Sequence, residues 1–428
     1  MQSLRRFIIA LIKMRKYLFF ENYEKKLLDI SDNDKAQDFF TKSQPGEKNR
    51  GRAGFLAPSA WLEIDLGQFK RNYGLIRKRV GKRVQIISVL KADAYGHGLV
   101  PIANSLSWDK AAKIGLASLE EACILRDQGV RVPLLLLYPP SLDQIRKLID
   151  LDVEMTLDNS RSFAFAEQAA RNSHKIAKVH VQINTGLNRY GLNPMDLPVF
   201  SQIAALKNIS IESVWTHFTD GNNNKLSAKQ LSLFLKCLKG IAAQGVHIKG
   251  IHVANSAAVA GFKDSFDERT YSKIFPKARI SVRSGCLLFG MAGEALNTKA
   301  ILDSFVSIIK ETREIPKGDS VGYFQGYITD RKIKAGILPV GWGNCGYLPE
   351  RPLFLQSGKY AAGIGLISSN NMTIDLSKMP NASVGTRGFL VRSGDPKISQ
   401  EKIAGSHHMF LNRFVSIIGS KVQRAYFE

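Results

Sequence analysis

The chain of 428 residues has only four cysteines, Cys123, Cys237, Cys286 and Cys345. None stands at metal-ligand spacing from another, so no metal site is expected. Their scatter reads as reduced thiols in a reducing, cytoplasmic compartment. No apolar run approaches the roughly 18 residues that cross a bilayer. Acidic residues are scarce: 37 Asp and Glu stand against 60 Lys and Arg, a formal net charge of +23. Such a surplus raises nucleic acid, membrane surfaces and anionic ligands as partners. Zinc-finger spacing and aromatic RNA-binding signatures are both missing, and the basic residues are dispersed, so no specific nucleic acid is expected. No Gly-x-Gly-x-x-Gly turn follows an early strand, which argues against a doubly wound dinucleotide-binding sheet. Internal repeats and low-complexity tracts are also absent. What remains is an ordinary globular composition, 44% hydrophobic and 23% charged, long enough for two domains.

Residues 1–57 read as a basic N-terminal extension and linker. Arg5, Arg6, Lys13, Arg15 and Lys16 flank an apolar core of six residues, Phe7 to Ile12. A secretory signal needs about 7–15 apolar residues and a small-residue cleavage site. The expected reading is an extra helix on the body or an upstream start. A basic helix lying on a membrane is the alternative. Residues 58–297 alternate short apolar strands with amphipathic helices. The strands fall at 85–90, 132–137, 178–183, 210–215, 248–253 and 280–282, with weaker ones at 113–116 and 154–157. Helical periodicity marks 118–128, 142–149, 160–172 and 228–244, and Ser118 and Glu121 stand at capping-box spacing. About eight strand–helix units predict an α/β fold, a TIM-like (β/α)8 barrel. From 298 to 428, short strands separated by Gly, Pro and Asn turns predict a mostly β C-terminal domain.

The apolar run from Val84 to Val89 delivers Lys91 at its end, followed by Ala92-Asp93-Ala94-Tyr95-Gly96-His97-Gly98. A lone lysine there is ordinarily a surface residue. A partly desolvated amine on a rigid strand end is instead what a Schiff-base lysine needs, because desolvation lowers its pKa. Other polar residues also follow predicted strands: Asn184 and Arg189, His217, Asn255-Ser256, and Arg283 before Ser284-Gly285. Reactive groups of a barrel gather at those ends. One polar residue after a strand is usually a turn residue, but five in one register suggest a site.

The Lys91 segment resembles the pyridoxal-phosphate lysine motif of the alanine racemase family. Further blocks resemble that family in order and spacing over residues 59–428. They are Trp61-Leu62-Glu63-Ile64-Asp65-Leu66, His252-Val253-Ala254-Asn255-Ser256, Arg283-Ser284-Gly285-Cys286, and Val321-Gly322-Tyr323-Phe324-Gln325-Gly326-Tyr327. The resemblance implies a homodimeric isomerase that interconverts L- and D-alanine for cell-wall supply. Lys91 would carry pyridoxal 5′-phosphate and act as one base; Tyr323, from the partner subunit's β domain, would be the opposite base. Arg283 would face the pyridine nitrogen. Tyr95, Ser256 and the amides of Gly285 and Cys286 would hold the phosphate. Arg189 would orient the substrate carboxylate or the cofactor's phenolic oxygen, and His217 would lie near the cofactor.

Departures from the family cluster. Gln182 stands where a lysine is common and Asn184 where an aspartate is. In the β domain, Gly341-Trp342-Gly343-Asn344-Cys345-Gly346 replaces Gly-Tyr-Ala-Asp-Gly, and Ser369-Asn370 replaces the Met-Asp pair at the substrate entrance. Asn412-Arg413 replaces a Tyr-Glu, removing a phenol expected on the phosphate. A smaller Ser369 would widen the substrate pocket. The alternatives to an alanine enzyme are therefore a racemase of serine or a basic amino acid, and a cofactor-binding barrel with little catalysis. A basic-amino-acid decarboxylase would need a cysteine-aspartate block that Cys345 matches poorly.

Overall fold

The computed structural model describes residues 59–109, 112–292, 295–349 and 352–428. The expectations for residues 1–57 lie outside the described residues. The chain enters with strand β1 (Ala60–Asp65) and the helix Leu66–Val80. Asp65 Oδ1 caps that helix by accepting from the Gln68 amide at 2.6 Å, and Arg77, Lys78 and Arg79 stand at its C-terminal, negative end.

Eight parallel strands then close into a barrel: β2 (Gln85–Val89), β3 (Lys113–Leu116), β4 (Leu134–Leu136), β5 (Val153–Leu157), β6 (Ala177–Gln182), β7 (Ile209–Trp215), β8 (Gly250–His252) and β9 (Arg279–Ser284). Closure is the pairing of β2 with β9, Gln85 opposite Ser281 and Ser88 opposite Ser284. The strands are almost wholly buried because helices cover them outside. The helices Leu119–Asp127, Leu142–Asp150, Ser160–Asn172 and Asn224–Ala243 follow the predicted periodicity. Only half of the expected capping box forms. Ser118 Oγ accepts from the Glu121 amide, but the Glu121 carboxylate turns away to Ala117, Ala92 and Asp93.

The C-terminal strands are β10 (Leu302–Ile308), β11 (Glu311–Ile315), β12 (Ser320–Val321), β13 (Tyr327–Ile328), β14 (Ile333–Leu338), β15 (Leu353–Gln356), β16 (Lys359–Ile364), β17 (Met372–Asp375), β18 (Arg387–Arg392) and β19 (Gln423–Phe427). All but β12 and β13 join one nine-stranded sheet, ordered β11-β14-β17-β16-β15-β18-β10-β1-β19. One expectation is corrected here. Residues 60–65, placed within the barrel range 58–297 with no strand expected there, form β1 of this sheet, antiparallel to β10 and parallel to β19. Its partners lie hundreds of residues away in the chain. Strands β12 and β13 form a separate short hairpin, with the turn Tyr323–Gln325 at its tip.

Candidate active site

Lys91 leaves β2 into an unusual turn. Ala92, Asp93, Ala94 and Tyr95 all have left-handed backbone angles, with φ of 56, 55, 54 and 53°. For residues with a Cβ this costs roughly 1–2 kcal/mol each, so surrounding structure must hold it. Glu121 Oε1 accepts from the Ala92 amide at 2.6 Å, and Asp93 Oδ1 accepts from the Leu99 amide at 2.7 Å. Arg424, on β19, donates to Asp93 Oδ2 at 2.5 Å and to the Gly96 carbonyl at 2.9 Å. Tyr426 Oη donates to the His97 carbonyl at 3.0 Å. The helix Leu411–Gly419 closes against Gly96, where only glycine fits: a Cβ on Gly419 would lie 2.1 Å from the Gly96 carbonyl oxygen. Thus the C-terminal sheet and its last helix seat the lysine turn. Asn412, in the first turn of that helix, accepts from the Arg413 amide through Oδ1 and from Ser416 Oγ through its backbone carbonyl, so its hydrogen bonds stay local.

Above the barrel lies a cavity of about 480 Å³. It gathers Lys91, Tyr95, Arg189, His217, Ser256, Arg283, Gly285 and Cys286, eight of the ten residues marked in the sequence. At one end Lys91 Nζ donates to Tyr138 Oη at 3.1 Å. The Arg189 guanidinium lies over the Tyr138 ring, 5.3 Å from its centre. At another end Ser256 Oγ accepts from the amides of Gly285, at 3.0 Å, and Leu287, at 3.5 Å. Any Cβ on Gly285 would meet Tyr95 Oη at 2.7 Å, so a glycine keeps hydroxyls and amides together on one concave side. Such a cradle suits an anion. Burial pushes the Tyr95 phenol and the Cys286 thiol up, so both stay protonated donors.

Arg283 is buried inside β9, not at its end. Its Nη2 donates to the carbonyls of Thr216, at 2.8 Å, and Val253, at 3.0 Å, and to His217 Nδ1 at 3.2 Å. Its Nη1 donates to His252 Nδ1 at 2.7 Å, and Trp215 lies flat beneath it at 4.6 Å. Burial pulls the guanidinium down to about 9, still above neutrality, so it keeps its proton. Burial, then the cationic Arg283, Arg189 and Lys91, hold His217 down at about 3, so its ring is neutral.

Tyr323 and Ser369 lie outside this cavity. Tyr323 sits at its hairpin tip, 64% exposed, beside Phe324 at 86%. The amide of Gly343 donates to the Ser369 carbonyl at 2.7 Å, so two departures from the family, Trp342-Gly343-Asn344 and Ser369-Asn370, occupy one spot of the β domain. Asn344 Oδ1 accepts from Gly341, and Asn184 Oδ1 accepts from Gly186 and Asn188. In these loops an amide oxygen does the holding that a carboxylate could do. Gln182 is buried at the end of β6, packed on Gly191. The sequence reading missed Tyr138, Trp215 and the role of His252. Tyr138 carried the same signal as the others, a polar residue directly after an apolar strand.

Comparison with known proteins agrees with this geometry. Residues 64–291 match the alanine racemase N-terminal domain, and residues 303–426 match its C-terminal domain. The alanine racemase of Halothermothrix orenii is 29% identical over 378 residues, covering 86% of this chain and 96% of that one. That of Desulfovibrio desulfuricans is 27% identical over 381 residues, covering 86% and 98%. Among solved structures, alanine racemase of Clostridium difficile 630 superposes with a TM-score of 0.79 at 24% identity, covering 87% and 97%. The Bacillus anthracis enzyme with bound L-Ala-P superposes at 0.76 and 25% identity, covering 86% and 95%. These relatives favour alanine over the serine or basic substrates left open by the sequence. By its fold, by the lysine-bearing cavity and by both domain matches, the chain belongs to the alanine racemase family.

Proposed function

We propose that the protein interconverts L- and D-alanine in the cytoplasm, as a homodimer with pyridoxal 5′-phosphate in the barrel cavity. One observation carries the reading: a single cavity holds the Lys91 amine, an anion cradle and a buried arginine that can only donate. These groups fit the three ends of that cofactor, its aldehyde, its phosphate and its ring nitrogen. When bound, the cofactor supplies an electron sink for the substrate's α-carbon. The chain supplies the rest. Tyr95, Ser256, Gly285 and Cys286 hold the phosphate by hydroxyls and backbone amides. Arg283 meets the ring nitrogen as a donor and gives up no proton. Arg189, braced on Tyr138, holds the substrate carboxylate. Lys91 Nζ moves a proton on one face of the α-carbon.

Racemisation needs a second group on the far face, and Tyr323 lies outside its own cavity. A second copy of the chain would deliver it. The exposed apolar face around it supports this reading. Phe324 lies beside Tyr323 on that face, and Leu366 packs against Gly322 and Gly326 of the hairpin. Among the described residues no helix is long and apolar enough to cross a membrane, and the four thiols are unpaired.

The test is racemisation of L-alanine, L-serine and L-lysine by the purified protein with pyridoxal phosphate, read by chiral chromatography. Alanine is expected to give the highest kcat/KM. Preference for serine or lysine would overturn the substrate, and no turnover of any would overturn the activity.

A further inference from the structure

The interior of such a barrel is normally filled by branched apolar side chains. This one contains a polar column running from the start of β3 to the top of β9. Lys113 Nζ lies 2.5 Å from Glu154 Oε2, and the same oxygen lies 2.6 Å from His180 Nε2. His180 Nδ1 lies 2.8 Å from His252 Nε2, and His252 Nδ1 lies 2.7 Å from Arg283 Nη1. Both imidazoles are fully buried, and burial pushes both below the usual histidine range.

The chemistry of the ends sets the direction of every hydrogen bond. A guanidinium has no acceptor, so His252 Nδ1 must accept. A neutral ring has one N–H, which is then on Nε2 and donates to His180 Nδ1. His180 in turn carries its proton on Nε2 and donates to the Glu154 carboxylate. The reverse polarity would set a His252 N–H against an arginine N–H. Arg283 otherwise meets backbone carbonyls, His217 and the face of Trp215. The carboxylate at the end of its hydrogen-bonded column is Glu154.

We propose that Glu154 is a remote positioning residue for the reaction: as the terminal acceptor it holds His180 and His252 in place and so fixes the orientation of Arg283, the group that faces the cofactor's ring nitrogen. The proposal rests on reading the cavity as the cofactor site. The His180 N–H and the Lys113 ammonium together keep Glu154 ionised against its burial, so the column ends on an acceptor that cannot become a donor. A purely structural ion pair would hold the barrel equally well without transmitting anything to Arg283.

The test uses the full-length protein and the double variant Lys113→Met/Glu154→Leu, which replaces the ion pair by apolar groups of similar size. Side-chain nitrogen NMR of the cofactor-free protein at neutral pH is expected to show His180 and His252 neutral, each with its proton on Nε2. In the double variant the His180 Nε2–H loses its acceptor, so the His180 ring signals should shift or broaden, while Arg283 still holds the His252 proton on Nε2. Its cofactor absorption band should shift, and kcat for alanine should fall about ten-fold, a loss of the size seen when outer hydrogen-bond partners are removed, with KM little changed. Unaltered His180 signals and an unaltered absorption band in the variant would overturn the proposal while leaving the cofactor reading intact. Failure of the wild type to bind pyridoxal phosphate would instead overturn that reading and the proposal with it. If the variant does not fold, the wild-type spectrum still decides: a proton on His252 Nδ1, or a cationic His180, refutes the relay.

Discussion

Lys91 is prepared by its neighbours more than by its own side chain. Its amine rests on Tyr138 Oη, and the Tyr138 ring in turn carries Arg189. Lys91→Ala should abolish the absorption signal of bound cofactor; an unchanged spectrum would remove the lysine from the mechanism. Tyr138→Phe keeps the ring under Arg189 and deletes only the hydroxyl. It should lower kcat several-fold, in the range of roughly 1 kcal/mol for a lost hydrogen bond, with the melting temperature unchanged. Equal kcat in that variant would show that Tyr138 only fills space. His217 and Arg189 were legible in the sequence because each follows an apolar strand, and Arg283 because it comes directly after the apolar run Ile280–Val282, although the structure places it within β9. Their protonation states were not, since these depend on burial and on charges from other strands.

At the scale of elements, the left-handed turn after β2 and the helix Leu411–Gly419 form one unit. Periodicity cannot reveal a sign change in φ, so the turn was invisible in the sequence even though its residues were singled out. The close approach of Gly419 to Gly96 makes the dependence testable. Gly419→Ala places a methyl against a backbone oxygen and should destabilise the protein by an overpacking cost of about 1–3 kcal/mol or more, measured by denaturant unfolding, with cofactor affinity falling too. Gly74, in the helix Leu66–Val80, has open space around its Cβ position. Gly74→Ala should instead stabilise by about 0.5–1 kcal/mol. If both variants behaved alike, the contact at Gly96 would not be what holds the turn.

Across the described residues, three buried histidines and the half-buried His217 set the response to acid. Burial holds His97 at about 4 and His217 at about 3, and pushes His180 and His252 down as well. Each stays neutral when folded but takes a proton below about pH 6.5 when unfolded. Their contribution is therefore complete above that pH and is lost as the pH falls, by up to about 1.4 kcal/mol per histidine per unit. Glu154 adds to this lower down. Burial opposes its charge, but His180 and Lys113 outweigh it and hold the carboxyl at about 2. Its share is then lost between its unfolded value and pH 2. The melting temperature should drop steadily from pH 7 to pH 5; a flat profile there would contradict neutral buried rings. The proposal that two copies share each site makes a second prediction. Lys91→Ala and Tyr323→Phe should each be inactive alone, yet mixed and reassembled they should regain roughly a quarter of the wild-type sites, as expected for a two-fold dimer. No recovery would mean that Tyr323 does not act across the interface.

The sequence alone determined the barrel, because eight apolar runs with helices between them can bury their strands in few other ways. It determined most of the cavity for the same reason, since residues directly after parallel strands must gather at one end. Three things were settled only by tertiary structure. Strand β1 joined the C-terminal sheet because strand pairing is non-local. The column from Glu154 through His180 and His252 to Arg283 links residues 26, 72 and 31 positions apart, and only barrel curvature brings them together. Tyr323 lay outside the cavity of its own chain, at the exposed tip of a hairpin that joins neither the barrel nor the nine-stranded sheet. Local pattern records which face of an element is apolar, but not which distant group will meet it.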